Sequence, residues 1–332
     1  MAALPGGWPT LLDLAKQTDP DGKSAMVAEV LSETNEIVQD QPLYESNAPT
    51  GNRVTLRSSN PTVAFGRLNK GTARSKSTTD QRTDTIGIIN PISEVDARFE
   101  TVSGGNFDAY RWNEDAAFLE AINQKIALTL IYGNEASDEM AFTGLAPRFN
   151  TIAGGQVVDA GGTGADNTSI FVVDWHERYL HGIFPKGAKN AGLKSEDLGK
   201  IRVEDADGNP FMAFCTAYEW AVGLTVKDSR HFCRVANIDV SDIAGAGVSG
   251  YTGPDLVLKL IDAYAKMQPK NGAFRAIYCN VTVWAALTKI ATTKANLALK
   301  MEEFAGRGLL PSFWGDPIRR VDQISNAEAR VV

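Results

Sequence analysis

The side chains of this chain that could do chemistry are few, and the first to consider are two histidines in the run HERYLH. His176 and His181 are five residues apart, with Glu177 between them. A helical zinc site of the H-E-x-x-H type needs its histidines four residues apart, so that both lie on one side of the helix. The extra residue breaks that geometry. We therefore expect a strand, a turn and a second strand here, without a metal.

A thiol nucleophile is the second chemistry to test, because His231 and Cys233 are two residues apart in an apolar stretch. Nucleophilic catalysis needs a base beside the nucleophile and a third group that orients the base. On a strand these two side chains would share one face as part of the packing, and no acid is nearby in sequence. The chain also lacks a G-x-S-x-G elbow. We interpret His231 as a packed core histidine.

Two glycine-containing loops resemble ligand loops only superficially. Asp205, Asp207 and Gly208 are similar to the start of a calcium loop, but the alignment puts Phe214 where the bidentate carboxylate belongs. Gly161–Gly164 (GGTG) lacks the third glycine of a dinucleotide loop and the Lys-Ser/Thr of a phosphate loop. Both are predicted to be turns, the first of them a tight hairpin. No catalytic residue, metal or cofactor is expected.

The elements that carry these residues form a mixed pattern of helices and strands. Helices are predicted over Ser24 to Asp40, over Asp108 to Tyr132 with a left-handed stop at Gly133 and Asn134, and after the caps Thr252 and Asn280. Strands are predicted at Ile170 to Val173, Leu180 to Phe184, Ile201 to Glu204, Phe274 to Cys279 and Trp314 to Val321. Phe211 to Val226 is predicted to be a strand pair bent near Glu219 or Gly223.

Charge is distributed unevenly near the amino terminus. Residues 52–82 hold seven bases and one acid, Asp80, for a charge of +6, whereas residues 1–51 hold two bases and eight acids, for −6. The seven bases are Arg53, Arg57, Arg67, Lys70, Arg74, Lys76 and Arg82. Apolar and polar residues alternate around Val54 and Leu56, and an apolar run begins at Ile86. The two stretches predict a polar hairpin with its tip at about Asn69 to Lys76. The alternative is a disordered surface loop.

Neither charged segment has enough apolar residues for a core of its own, so the most economical partner is another copy of the chain. The candidate contact residues are the seven bases together with Glu29, Glu33 and Glu36. The whole chain has 332 residues, 43% of them apolar, and a net charge of −7, which argues against a dedicated nucleic-acid binder. Three cysteines without C-x-x-C spacing indicate a reducing compartment. Neither a signal peptide nor a membrane span is expected.

Several stretches, in their order along the chain, resemble the major capsid proteins of tailed bacteriophages, which share the Hong Kong 97 fold. They are LYESNAPTG at residues 43–51, TGLAPRFN at 143–150, DAGGTGADNTSIFVVDW at 159–175, GIFPKGAK at 182–189 and YEWAVGLTVKDSRHFCRVANI at 218–238. None of them is diagnostic alone. The resemblance implies an α+β fold with an amino-terminal arm, an extended hairpin called the E-loop, a peripheral domain built on a long spine helix, and an axial domain.

On this basis the expected divisions are an arm at 1–51, the hairpin at 52–91, a peripheral domain at 92–155 with its spine helix at 108–132, and an axial domain at 156–332, from which some strands return to the peripheral domain. Some capsids of this fold join subunits through a lysine and an asparagine. Lys70 and Lys76 lie in the hairpin, but no asparagine or catalytic acid matches them, so no crosslink is predicted.

The resemblance implies a structural, non-enzymatic subunit that forms hexamers and pentamers of an icosahedral shell around double-stranded DNA. Scaffolding, portal and cement proteins are expected partners, the DNA is bound without sequence specificity, and no membrane is involved. The expected location is the virion, after assembly in the host cytoplasm. Either a separate scaffolding protein exists or a scaffolding segment was removed before Met1. Two alternatives remain, an oligomeric enzyme with a site between subunits and a tail or decoration protein.

Overall fold

A large sheet covered by helices on both faces organises the chain. The computed structural model describes residues 33–102, 107–188, 191–205, 207–243, 245, 254–293, 298–304 and 308–332. The described strands are β1 (Leu43–Glu45), β2 (Gly51–Ser59), β3 (Thr78–Ile89), β4 (Ile92–Asp96), β5 (Val157–Asp159), β6 (Asn167–Trp175), β7 (Leu180–Phe184), β8 (Lys194–Glu204), β9 (Pro210–Val226), β10 (Phe232–Asp239), β11 (Phe274–Cys279), β12 (Leu299–Phe304), β13 (Gly308–Phe313) and β14 (Asp316–Arg320). The described helices are α1 (Glu36–Asp40), α2 (Phe99–Val102), α3 (Phe107–Tyr132), α4 (Leu145–Arg148), α5 (Val240–Ile243), α6 (Leu256–Lys266) and α7 (Val281–Thr293).

Sheet order shows how distant parts of the sequence meet. The main path runs β12-β13-β14-β11-β6-β7-β9-β3-β2, so the predicted hairpin forms one end of it. From this path β10 branches onto β6 and carries β5, β1 pairs with β7, and β4 and β8 both pair with β9. Only a few of these pairs are neighbours in sequence. The fold therefore depends on long-range pairing that short sequence windows do not encode.

The core divides into two clusters because successive side chains of the central strands point to opposite faces. On β6, Phe171, Val173 and Trp175 pack into one cluster with the inner side of α3. Ile170 and Val172 pack into the other with α6 and α7. Every residue of β6 is buried, which is the pattern expected of a strand covered on both sides. Two layers of helices thus enclose one sheet.

The long helix was predicted over residues 108–132 and is confirmed as α3. Ile122, Ile126 and Leu130 are fully buried on its inner side. The predicted left-handed stop is wrong, because neither Gly133 nor Asn134 has a positive φ. Gly133 is required for another reason, since a Cβ there would lie 2.4 Å from the Phe142 carbonyl oxygen and 2.5 Å from that of Thr129. Close backbone packing, rather than a special dihedral, accounts for this glycine.

The predicted bent strand pair at residues 211–226 is also wrong, because β9 is one continuous strand. Its partner is β8, which begins at Lys194, seven residues before the predicted strand. Gly223 marks a close approach instead of a bend, since an added Cβ would lie 2.5 Å from the Thr85 carbonyl oxygen. Ala213 and Cys215, on the other face of the strand from Met212 and Phe214, are fully buried. The first half of β9 and all of β8 thus form a separate flap with β4.

Helix caps and the chain end differ in part from prediction. Asn280 caps α7 as predicted, accepting from the Val283 amide at 2.9 Å. Thr252 lies outside the described residues, and α6 is capped by Asp255, which accepts from the amides of Val257 and Leu258. Near the carboxyl terminus the prediction missed β12 and β13, and it began the last strand too early. Trp314 and Gly315 form the turn before β14, both with positive φ.

Part of the predicted amino-terminal helix at 24–40 can be compared with the structure. Residues 24–32 lie outside the described residues, and of the remainder only Glu36–Asp40 is helical. Ile37 is the buried residue of this short helix, and it belongs to the same core cluster as α3. The arm is therefore attached to the body of its own subunit from residue 33 onwards.

Candidate intersubunit surface

A polar hairpin is present as predicted, with β2 and β3 as its two strands, but its tip is longer than the predicted Asn69 to Lys76. They pair antiparallel from Gly51 opposite Thr85 to Ser59 opposite Thr78, with one irregularity after Arg57. The tip between them, residues 60–77, contains no strand residue. It is closed by hydrogen bonds from the Lys70 amide to the Arg67 carbonyl oxygen at 3.3 Å, and from Ser75 Oγ to the Thr62 carbonyl oxygen at 2.7 Å. The tip is built from local contacts.

Six of the seven candidate bases lie on this hairpin as exposed side chains, namely Arg53, Arg57, Arg67, Lys70, Arg74 and Lys76. The ion pairs found among the described residues involve none of them. Arg82 differs from them. Its guanidinium lies 3.3 Å from Asp84 and donates to the Val226 carbonyl oxygen at 2.5 Å. Arg82 therefore serves the root of the hairpin, and the other six present positive charge to the surroundings.

The tip also carries apolar side chains that the sequence analysis missed. Val63, Phe65 and Leu68 have relative exposures of 88%, 105% and 96%. A phenylalanine that retains its whole accessible surface is unusual, because burying such a side chain contributes about 1.5–3 kcal/mol. The sequence V-A-F-G-R-L at residues 63–68 held this signal, but it was overlooked within a run of polar residues. Apolar groups within a field of cations are typical of a contact surface.

At the root of the hairpin, a buried carboxylate joins three elements. Asp84 on β3 is 2% exposed, and it accepts from Arg148 of α4 at 2.7 Å and from Thr225 Oγ1 of β9 at 2.5 Å. Arg148 also donates to the carbonyl oxygens of Thr143 and Leu224. Hydrogen bonds to a charged group are stronger than neutral ones. This cluster fixes the direction in which the hairpin leaves the sheet.

The acidic candidates of the arm are largely used within their own subunit. Glu29 lies outside the described residues. The Glu33 carboxylate accepts from Gln323, and its amide donates to Glu120 at 2.9 Å. Glu36 accepts from Arg319 Nη1 at 2.7 Å. These two acids are thus already partnered, and a basic hairpin from another copy would find better acceptors elsewhere.

A second acidic surface lies on the flap formed by β4, β8 and β9. Ile92, Lys194, Glu196, Ala217 and Glu219 line a cavity of about 220 Å³. Ile92 is 48% exposed, and Lys194 pairs with Glu219 at 3.1 Å. The flap is held on the first half of α3, where Arg111 Nη2 donates to Asp197 at 2.5 Å and to Thr216 at 3.0 Å. The floor is apolar, and the rim carries one net negative charge because Lys194 compensates Glu219 and leaves Glu196, so the cavity complements the hairpin tip in both respects.

The residues considered for catalysis have structural roles. The predicted strand, turn and strand around the two histidines is confirmed, because His176 and His181 are separated by the turn between β6 and β7. Burial lowers the pKa of His181 to about 4. His231 Nδ1 lies 2.9 Å from Asp174. The Asp174 carboxylate also accepts two hydrogen bonds from Arg275, at 2.6 and 2.7 Å. The acid that sequence reasoning did not find is therefore present, but it forms part of a buried ion pair.

Cysteine chemistry and metal binding find no support among the described residues. Cys215, Cys233 and Cys279 are free and buried, and burial raises the pKa of the Cys233 thiol to about 12, so that it is protonated at neutral pH. The described residues contain no cluster of three or more histidines, cysteines or acids that could hold a metal ion. In the same part of the chain, no helix is long and apolar enough to cross a membrane.

Of the two glycine-containing loops, the one at Gly208 is a turn, as predicted, whereas the prediction of a turn at Gly161–Gly164 is wrong. Gly208 has φ +82°, and its amide donates to the Asp205 carbonyl oxygen at 3.0 Å. The Asp205 carboxylate accepts from the amides of Asp207 and Asn209 at 3.0 and 2.7 Å, closing a tight hairpin between β8 and β9. Gly161 has φ +97°, but residues 161–163 are irregular, and the chain bends only at residues 164 and 165 before it enters β6.

The fold is that of a structural capsid protein of the Hong Kong 97 type. A solved structure of bacteriophage Epsilon15 contains a chain 34% identical to this one, covering 100% of this chain and 99% of that chain with a TM-score of 0.75. A weaker similarity joins the chain to a bacteriophage JBD30 capsid, at 10% identity over 89% of this chain and 92% of that chain, with a TM-score of 0.47. No curated protein sequence matches.

The family follows from the sequence match. Residues 19–332 match the model of the family described as major capsid protein GP7. The chain therefore belongs to this family of major capsid proteins. It is a structural protein of a bacteriophage virion that self-assembles into the hexamers and pentamers of an icosahedral capsid. The family resemblance and the α+β fold class expected from the sequence are confirmed.

Proposed function

We propose that the hairpin is the principal strap between neighbouring subunits of the capsid. The observation that carries this proposal is the full exposure of Val63, Phe65 and Leu68 at the end of a hairpin whose six exposed cations have no ion-pair partner among the described residues. Apolar contact would supply the affinity, and the cations would steer the encounter and fix its register. Each such contact can be weak, because a shell repeats it many times.

The receiving surface is the acidic cavity on the flap of the next subunit. Phe65 would enter between Ile92 and Ala217, while a basic side chain of the hairpin meets Glu196 at the rim. The cavity of about 220 Å³ is large enough for one aromatic side chain.

The organisation proposed for the subunit follows the expected divisions, with an arm at 1–51, the hairpin at 52–91, a peripheral domain at 92–155 and an axial domain at 156–332. One feature supports the return of later strands to the peripheral part, since Phe214 of β9 packs against Phe107 of α3 with ring centroids 5.0 Å apart. Accordingly, the peripheral domain also includes β8 and the first half of β9.

The role is structural and involves no catalysis or cofactor. Packaged double-stranded DNA is held by confinement and without sequence-specific contacts, which a net charge of −7 supports. Scaffolding, portal and cement proteins are the further partners proposed, and assembly takes place in the host cytoplasm before the subunit enters the virion.

The test reverses three charges on the hairpin, with the variant Arg67→Glu, Arg74→Glu, Lys76→Glu. We expect folded subunits that fail to form shells, because the tip would repel an acidic surface. Light scattering and electron microscopy report the particles, and circular dichroism reports the fold. A matched control, Arg67→Lys, Arg74→Lys, Lys76→Arg, keeps the charge and should assemble, with early assembly weakened by high salt. Normal shells from the reversed variant would refute the proposal.

A further inference from the structure

The outer side of α3 is unusually apolar for a helix surface. Ala117, Ala121 and Leu128 are exposed there, and Lys125 is the charge between the last two. A helix on the surface of a globular protein normally turns charged residues outward, whereas one that is apolar all round is covered. This side of α3 therefore offers a contact surface to an apolar partner, most of all at Leu128, which also lines a groove.

Beside the second half of this surface lies a groove of about 700 Å³. One wall is α3, through Leu128 and Tyr132, and the other is the carboxyl-terminal segment, through Gln323, Ala327 and Ala329. The carboxyl-terminal wall is fixed firmly, because Arg234 donates to Glu328 at 2.8 Å and the Asn237 side chain holds the backbone of Val331. The groove is thus a permanent feature of the folded subunit.

The described part of the arm ends beside this groove. Asn35 pairs antiparallel with Val321, Thr34 exchanges hydrogen bonds with Asp322, and the Glu33 side chain meets Gln323. Each step back along the arm thus corresponds to one step forward along the carboxyl-terminal segment. Continued in the same direction, a chain would run alongside residues 324–329, which form the second wall of the groove.

The sequence before Glu33 has side chains suited to such a groove. Met26, Val27, Val30 and Leu31 recur at spacings of one and three or four, and Glu29 stands among them as the acid. Lys125 on α3 and Arg330 on the groove are exposed cations within this surface. Val30 is three residues from Glu33, so its Cα lies within about 10 Å of the anchored residue. The apolar pattern of residues 26–31, the charge of Glu29 and the distance to Glu33 are all compatible with this groove.

We infer that residues 26–31 of the arm dock into the groove between α3 and the carboxyl-terminal segment of their own subunit. The partner is therefore a segment of the same chain, and the contact gives the arm a folded position before any neighbour arrives. This inference concerns the single subunit and does not depend on the hairpin contact proposed above, so either one can fail without the other.

A disulfide tests the inference in the full-length protein. In the variant Val30→Cys, Ala327→Cys we expect an intrachain disulfide under mild oxidation, because docking brings the two Cα atoms within bonding range. The matched control Val30→Cys, Ala109→Cys places the second thiol near the start of α3, about 28 Å along the helix from Leu128. We expect about tenfold more intrachain product than in this control. The three native thiols are buried and do not compete.

Two outcomes would overturn the inference. Equal yields in the two variants would show that residues 26–31 do not occupy the groove, and a disulfide between chains would assign the groove to the arm of a second copy. Hydrogen exchange provides a measurement that needs no thiols. Leu128→Lys should reduce the protection of residues 26–31 about tenfold, while Ala117→Lys, on the same helix but outside the groove, should leave it unchanged. Unchanged protection in Leu128→Lys would also refute the docking.

Discussion

The buried and exposed arginines of this capsid protein differ in what surrounds them. The first group consists of the buried Arg234, Arg275 and Arg319 and the nearly buried Arg148, each paired with a carboxylate. The exposed group lies on the hairpin as Arg53, Arg57, Arg67 and Arg74, without an ion pair to any described residue. The same side chain thus fixes the fold in one region and, in our proposal, joins subunits in the other.

The buried pairs connect parts of the chain that are far apart in sequence. Arg319 and Glu36 are 283 residues apart, and Arg234 and Glu328 are 94 apart. A buried pair is costly to break, because removing one partner leaves an uncompensated charge away from water. An exposed cation contributes little to the stability of its own subunit. Replacing a buried arginine should therefore mainly lower the stability of the subunit, whereas replacing an exposed arginine should mainly weaken assembly.

The largest loss of stability is expected for Arg234→Met. This change leaves Glu328, which is 7% exposed, without its cation, and should lower the free energy of unfolding by about 3–5 kcal/mol. Urea denaturation measures the difference. Adding Glu328→Gln to the same variant should recover part of the loss, because the uncompensated charge is then removed. A loss below about 1 kcal/mol in the single variant would contradict this view of the buried pairs.

The second-largest loss of stability is expected at the root of the hairpin. Asp84→Asn removes the charge that Arg148 and Thr225 bind, and should lower the free energy of unfolding by about 2–3 kcal/mol. Asp80→Asn on the same strand is the matched control. Asp80 is exposed, so its replacement should change stability by less than about 0.5 kcal/mol. Equal effects in chemical denaturation would show that the root does not behave as a buried cluster.

The buried His181 should make stability depend on pH. Its pKa is lowered to about 4, mainly by burial and then by Lys227, whereas in the unfolded chain it is near 6.5. As the pH falls, the imidazole is therefore protonated in the unfolded chain before it is protonated in the folded protein. The stability that is present above pH 6.5 is lost as the pH falls towards 4. Between pH 7 and pH 5 we expect a loss of about 2 kcal/mol from this group.

His181→Gln is the comparison for that measurement, since a neutral amide cannot take up the proton. Between pH 7 and pH 5, the free energy of unfolding of this variant should fall by about 2 kcal/mol less than that of the unchanged protein. Parallel curves for the two proteins would show that His181 is protonated in the folded state as readily as in the unfolded chain.

The smallest effect on folding is expected at the hairpin tip. Phe65→Ser should leave the free energy of unfolding within about 0.5 kcal/mol, because Phe65 makes no buried contact in its own subunit. Assembly should nevertheless need a higher protein concentration, as measured by light scattering, whereas Phe65→Leu keeps an apolar side chain and should assemble nearly as well. A large loss of subunit stability in Phe65→Ser would place this side chain in its own core.

Sequence reasoning succeeded where the signal was local. Apolar residues at helical spacing gave α3 within one residue, and Asn280 gave the cap of α7. It failed at β9, where Gly223 was interpreted as a bend although it marks a close approach, and at β12 and β13. It also overlooked Phe65, because an apolar residue within a polar run appears incidental until its exposure is known.

What the sequence determined by itself was the type of each strong element, the charge of the hairpin and the resemblance to phage capsid proteins. All of these depend on neighbouring residues or on their order along the chain. Only the tertiary structure decided that Asp84 meets Arg148, that Glu36 meets Arg319 and that α3 borders a groove. The physical reason is that burial and pairing depend on which segments the sheet brings together, and no short window of sequence specifies a partner hundreds of residues away.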